Sequence, residues 1–325
     1  MASSIKTEPQ AAEATADGTL QRQQRRNLSD RSIINLFIWP TLILLIAINI
    51  FPLFYSLYLG FTDYSAISRT APVWVGFKNF TDILNDEQLW RYFATTGRYA
   101  LLSVGLQTII GFALAMLVRE KFNGSGLVTT LILIPMMLSP VVVGLFWKLM
   151  YNPSFGYVNY LLGFDNASVA PDWLASSFAR QPVPGLALLA VVFVDVWMWA
   201  PFVMLLVLSG LKAIPDYLYE AAAIDRASSW FQFWRITFPQ VAPLLLIAVL
   251  FRTIEAVKSF DLVMGMTGGG PGDQTELIAV NLYRQAFLGQ FQTGRASALA
   301  YIILIIIIAA SNMYIRYLNK SKGEA

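Results

Sequence analysis

Residues 186–211 read LALLAVVFVDVWMWAPFVMLLVLSGL, and one charged side chain, Asp195, interrupts them. As a helix rising 1.5 Å per residue, the run reaches roughly 39 Å, more than the ~30 Å hydrocarbon core of a bilayer. In lipid a backbone must satisfy its own hydrogen bonds, so a run this long predicts a spanning helix rather than a strand. Working outward, five further runs have spanning length, near 33–59, 96–118, 127–149, 241–264 and 297–318. The run at 241–264 is the most interrupted, by Arg252, Glu255, Lys258 and Asp261. The sequence therefore predicts an all-α, polytopic membrane protein with six transmembrane helices.

Composition agrees. The chain has 325 residues, 56% apolar and 13% charged, against about 25% charged in a soluble domain, and its mean hydropathy is +0.56. It contains no cysteine and no histidine, which excludes disulfides, thiol catalysis, Cys/His zinc sites and histidine acid–base chemistry. No nucleophile–base pair or metal-ligand cluster is legible, so catalytic residues, a metal and a cofactor are not expected. No G-x-x-x-x-G-K-[ST] phosphate loop is present. The glycine-rich run GGGPG at 268–272 has no following lysine and reads as a turn. A net charge of +3 argues against nucleic acid as a partner.

Residues 1–30 are polar and read as a disordered tail, followed by a transmembrane domain over 31–325. The tail ends in a basic cluster, Arg22, Arg25, Arg26 and Arg31, and no signal peptide is visible. Thirteen Lys and Arg residues fall in the N-terminal tail, the 119–126 and 212–240 loops and the C-terminal tail, against seven in the opposite loops. The positive-inside rule makes the richer side cytoplasmic, with both termini and the 212–240 loop inside. On the outer side Trp74, Trp90 and Trp173 read as interface belt residues, and Lys148 as a snorkelling side chain.

The cytoplasmic loop contains YEAAAIDRASSWFQFWRITFP at 219–239. Pro215 and Asp216 predict a helix start, after which Tyr217, Glu220, Ala221 and Ile224 share a face. A second short helix, around 228–236, carries Trp230, Phe231, Phe233 and Trp234, and Pro239 is expected to stop it. From the residues alone two readings stand: an amphipathic element in the headgroup layer, with Arg235 outward, or a docking surface for a soluble partner.

Ionisable residues inside spans are candidate functional groups. Arg252, Glu255, Ala256 and Ser259 follow i, i+3, i+4, i+7 spacing, as do Asp195, Met198, Trp199 and Phe202. Aromatic faces beside hydrogen-bonding groups suit a sugar, which stacks its ring and bonds its hydroxyls. A structural alternative pairs Arg252 with Glu255 or Asp195, and Lys258 with Asp261 is read as structural. Buried carboxylates also leave room for an ion-coupled secondary transporter.

EAAAIDRA followed by ITFP resembles the EAA loop of inner-membrane permeases of ATP-binding-cassette importers. The carbohydrate branch is matched further by VGFKNF (75–80), YNPSFGYVNYLLG (151–163), DVWMWAPF (195–202), LKAIPDYLYEAA (211–222), SFDLVMGMTGGGPGDQTE (259–276), LYRQAF (282–287) and GRASALA (294–300). The resemblance implies a bacterial inner-membrane permease with a cytoplasmic coupling-helix loop, carried by Glu220, Ala221, Ala222, Asp225, Arg226 and Ala227. It implies as partners a second permease, two ATP-binding subunits carrying ATP and magnesium, an extracytoplasmic solute-binding protein and a sugar-like solute. The eight positions of the two stripes match those lining the sugar site of the maltose-type branch. Two departures stand out. Arg226 replaces a family glycine and Phe238 a family leucine. Arginine disfavours φ > 0, so a blunter turn or an added partner contact is expected.

Overall fold

The structure, a computed structural model, describes residues 30–120, 122–164, 166, 170–178, 181–289 and 291–323. The expected disordered tail, with Arg22, Arg25 and Arg26, lies almost wholly outside them. The chain divides into two compact units, Met1–Ser56 and Leu57–Ala325. The described residues of the first belong to helix α1, Asp30–Gly60. Its polar side chains satisfy themselves on their own helix, as lipid requires: Thr41 Oγ1 donates to Phe37 O at 3.0 Å and Asn49 Nδ2 to Leu45 O at 2.8 Å.

The second unit continues with α2 (Lys78–Leu84), α3 (Glu87–Leu117), α4 (Ser125–Met137), α5 (Pro140–Met150) and α6 (Tyr157–Leu161). Three two-residue strands follow in the loop after α6: β1 (Pro171–Asp172), β2 (Ser177–Phe178) and β3 (Gln181–Pro182), antiparallel in that order. Then come α7 (Leu186–Ala213), α8 (Tyr217–Ile224), α9 (Ser229–Gln232), a π turn (Phe233–Thr237), α10 (Phe238–Val257), α11 (Asp261–Met266), α12 (Ile278–Phe287) and α13 (Thr293–Gly323). By length and composition, five helices among the described residues can cross a membrane.

The sixth expected span is not one straight helix. α4 and α5 meet at 97°. Leu138 and Ser139 are extended, at ψ 150° and 132°; for Ser139 the cause is the ring of Pro140, which disfavours helical backbone at the residue before it. Pro140 then opens α5 from the position where proline fits best. Gly144 of α5 lies against α11: a Cβ there would stand 2.9 Å from Leu262 O. The two half-length helices therefore touch backbone to backbone.

Pro239 also acts differently from expectation. It does not end the helix begun at Ser229, and one apolar helix runs on to Val257. The π turn absorbs the proline: Phe238 N–H donates five residues back to Phe233 O, which widens the helix just before a residue that has no N–H to donate. At its far end this helix stops at Val257, short of the expected 264, and α11 begins at Asp261.

α7 is the axis of the core. Val191, Val194 and Met198 pack with Tyr99, Val263, Met266 and Leu277 in one cluster. Val203, Met204, Val207 and Leu211 pack with Ala115, Val241 and Ala248 in a second. Gly111 brings α3 onto α7: an added Cβ would be 2.6 Å from Val203 Cβ and 2.7 Å from Ala200 O. That close crossing sets the polar faces of α3, α7 and α10 against one another.

Candidate functional site

Asp195 of α7 and Arg252 of α10 are each 3% exposed. Arg252 Nη2 reaches Asp195 Oδ1 at 3.3 Å and Oδ2 at 3.4 Å. Gln107 of α3, fully buried, closes a ring with them. Its Oε1 accepts from Arg252 Nε at 2.8 Å, and its Nε2 donates to Asp195 Oδ2 at 2.7 Å and to Asp195 O at 3.2 Å. A buried charge costs heavily unless paired and hydrogen-bonded, and here both ions are. The Arg252 guanidinium also lies over the Trp199 ring at 4.6 Å, a cation–π contact.

Beside this ring opens a pocket of about 120 Å³. Asp195, Trp199, Arg252, Glu255 and Ser259 line it, with Lys258, Asp261 and the turn at Phe260. Five of the eight stripe positions thus meet in one place. Met198 and Ala256 are buried in the core cluster on α7. Phe202 packs one turn further along, in the second cluster. Glu255 is not a partner of Arg252. It pairs with Lys258 at 2.8 Å, and both side chains are about half exposed, so Lys258 bonds Glu255 rather than the Asp261 expected. The Ser259 hydroxyl sits 3.2 Å from the Tyr99 hydroxyl.

Sequence reading missed Gln107 and Tyr99. Tyr99, Ser103 and Gln107 recur at i, i+4, i+8 in the second apolar run, and all three are buried. That polar stripe was the available signal, but it carries no formal charge. A larger groove of about 570 Å³ between α3, α4 and α7 is lined by aliphatic and aromatic side chains such as Leu106, Ile110, Phe193 and Trp197. It offers a hydroxylated solute almost nothing to bond.

The glycine-rich run forms the expected turn. Gly269 adopts φ +94° and a side chain there would collide with Glu276. Glu276 pairs with Arg284 at 3.1 Å. Burial pushes its carboxyl above the usual carboxylate range, and Arg284 opposes that shift. Gln274 Oε1 accepts from Ser176 Oγ at 2.8 Å and from Gly185 N–H at 3.1 Å, tying this turn to the start of α7.

The second candidate region is the hairpin of α8 and α9. Tyr217, Glu220, Ala221 and Ile224 form an exposed face, with Ile224 83% exposed. Ala222 is buried and Ala227 half-buried, while Asp225 and Arg226 are exposed. The turn is sharp despite the arginine. Arg226 N–H donates to Ala223 O at 3.1 Å and Ala227 N–H to Ala222 O at 2.9 Å. These are the paired bonds that close a helix through a left-handed residue, and Arg226 supplies it at φ +53°. That conformation costs an L-residue about 1–2 kcal/mol. Ser228 Oγ then caps α9 from Phe231 N–H at 3.2 Å. The hairpin is tied to the spanning helices: Tyr219 hydroxyl meets Thr237 Oγ1 at 2.9 Å, the Arg119 guanidinium covers the Tyr219 ring at 4.5 Å, and Phe233 packs edge-on to Phe112.

Three comparisons bear on this arrangement. The family described as "Binding-protein-dependent transport system inner membrane component" matches residues 107–322. The chain is 33% identical over 299 residues to a probable ABC transporter permease protein of Sinorhizobium fredii, covering 90% of this chain and 92% of that one. It is 35% identical over 242 residues to a trehalose/maltose transport system permease protein of Thermococcus litoralis, covering 74% and 79%. In fold it resembles a chain of a bacterial ABC transporter involved in the import of the acidic polysaccharide alginate, with TM-score 0.71 and 22% identity over 92% of this chain and 99% of that one.

Proposed function

The chain belongs to the binding-protein-dependent transport system inner membrane component family, and from that premise we propose that the pocket beside Arg252 is its part of the path of an uncharged sugar. The chain is a multi-pass permease subunit of an ATP-binding-cassette importer. A sugar solute is supported by the trehalose/maltose relative and by the pocket's chemistry. The observation that carries the reading is one wall bearing an aromatic face, a half-exposed carboxylate and a hydroxyl: Trp199, Glu255 and Ser259.

In this reading Trp199 stacks on the sugar ring and Glu255 and Ser259 bond its hydroxyls. Asp195 and Arg252 form the floor, and Arg252 holds the Trp199 ring from behind. Met198, Phe202 and Ala256 pack the wall in place. Three acids line the pocket, Asp195, Glu255 and Asp261, against two bases, Arg252 and Lys258. That balance favours hydroxyl donors over an anionic solute. Its volume, about 120 Å³, is below the ~300 Å³ of typical ligand pockets. A second permease of the same family supplies the remaining wall.

The face of Tyr217, Glu220, Ala221 and Ile224, with Asp225 and Arg226 at its turn, docks on an ATP-binding subunit, while Ala222, buried, and Ala227, half-buried, form the inner side of the hairpin. Two such subunits carry the ATP and magnesium, and an extracytoplasmic binding protein delivers the sugar. Both termini and this hairpin are cytoplasmic, by the excess of basic residues on that side. Ion coupling loses its support, because Asp195 is committed to Arg252 and Gln107 and Glu255 bonds Lys258.

The test is ATP hydrolysis by the reconstituted complex with its binding protein, screened against mono- and disaccharides and their acidic derivatives. A neutral sugar should stimulate most, and Trp199→Ala should lower that stimulation about tenfold at unchanged basal hydrolysis. Stimulation by ions alone, or native stimulation in Trp199→Ala, overturns the assignment.

A further inference from the structure

Arg226 is an L-residue held at φ +53°, at the apex between α8 and α9. Glycine takes this backbone without cost, and asparagine with little. Strain kept at an exposed position points to a use for the side chain, provided no internal contact explains it. None does: the Arg226 side chain is exposed and has no hydrogen bond, ion pair or ring contact among the described residues. The backbone bonds of the turn, Arg226 N–H to Ala223 O and Ala227 N–H to Ala222 O, use nothing beyond its main chain, and glycine would make them equally.

We propose that Arg226 makes a charge-assisted, two-pronged hydrogen bond to a carboxylate on the ATP-binding subunit, beside the cleft that receives α8. This rests on the docking role of the hairpin given above. The chemistry is set by the group presented. A guanidinium offers a planar fork of donors and no acceptor, which matches a carboxylate. The neighbours sharpen the choice. Glu220 and Asp225 are exposed on the same hairpin and are not bonded to Arg226, so the docking surface presents both signs. A cleft complementary to it carries a base for those acids and an acid for Arg226. The left-handed backbone fixes the direction in which the side chain leaves the turn, and the bond to the carboxylate must outweigh the rotamer freedom this exposed side chain gives up on docking.

The experiment uses the full complex, purified through this chain in detergent with its ATP-binding subunit. Arg226→Gly removes the side chain and relieves the backbone, whereas Arg226→Ala removes the side chain and keeps the strain. Both should weaken retention of the ATP-binding subunit about tenfold at moderate salt, while Arg226→Gly alone raises the unfolding midpoint of the isolated chain. Arg226→Lys should form a carbodiimide cross-link to a carboxylate of the ATP-binding subunit, absent in Arg226→Gly. A structural role for Arg226 predicts the opposite: Arg226→Gly binds as well as or better than the native chain, and Arg226→Lys gives no cross-link. Ala221→Trp, on the exposed face of α8, separates the two levels. If it too leaves assembly and solute-stimulated hydrolysis native, the docking role of the hairpin fails. If it abolishes them while Arg226→Gly does not, only the Arg226 contact fails.

Discussion

Two arginines stand where the sequence gives least reason for one, Arg252 inside an apolar helix and Arg226 on a left-handed turn. Arg252 is buried and its partners belong to this chain: Asp195, Gln107 and the Trp199 ring surround it. Arg226 is exposed and makes no such contact among the described residues. An awkward charge with internal partners is architecture. One without them, held on a left-handed turn, is where we propose that another molecule completes the site. Glu255 and Lys258 fall between: they bond each other, yet about half of each side chain remains open to the pocket.

The largest effect tests the architectural end of the comparison. Arg252→Met alone takes the counter-ion from a buried Asp195 that is left with Gln107 Nε2 as its donor, and leaves Gln107 Oε1 without one, at a cost of about 3–5 kcal/mol. The yield of monodisperse protein in detergent should collapse, and Asp195→Leu combined with Arg252→Met should recover most of it. A native yield from the single variant would break the comparison.

Glu255→Gln should leave the yield unchanged, since an exposed pair contributes roughly 0–1 kcal/mol. Transport efficiency should nevertheless fall about tenfold, because the amide oxygen still accepts from the sugar but a charged hydrogen bond of ~1.5–3 kcal/mol becomes a neutral one of ~0.5–1.5 kcal/mol. Uptake assays at matched protein levels read this directly, and native uptake would move Glu255 to the architectural side.

The smallest effect concerns Arg226. Arg226→Gly should stabilise the isolated chain by about 1 kcal/mol, a rise of a few degrees in the unfolding midpoint, while Arg226→Ala should not. Equal midpoints in both would mean that the turn is unstrained.

The long helices were legible because the apolar runs leave one solution in lipid. The bend at Leu138–Ser139 was less so, although Pro140 signals it, because run length says nothing of direction. Pro239 was misleading. Its missing N–H predicts a stop, but a π turn one residue earlier lets the helix continue. At the site, formal charge drew attention to Asp195 and Arg252, and helical spacing collected Trp199 and Ser259. Spacing could not choose the partner of Arg252, since Glu255 at i+3 and Asp195 on another helix are equal on paper. Gln107 escaped because an amide in an apolar run is easily taken as incidental, and its role depends on the close α3–α7 crossing at Gly111.

The most direct measurement is ATP-driven uptake of the most stimulating sugar into proteoliposomes, comparing Asp195→Leu/Arg252→Met with Glu255→Gln at equal incorporation and equal ATP-binding-subunit content. If the buried ring is architecture and the open wall is the solute contact, the double variant keeps uptake within a few-fold and Glu255→Gln loses it about tenfold or more. A double variant that assembles fully yet carries no sugar, beside a Glu255→Gln chain that transports normally, contradicts the account.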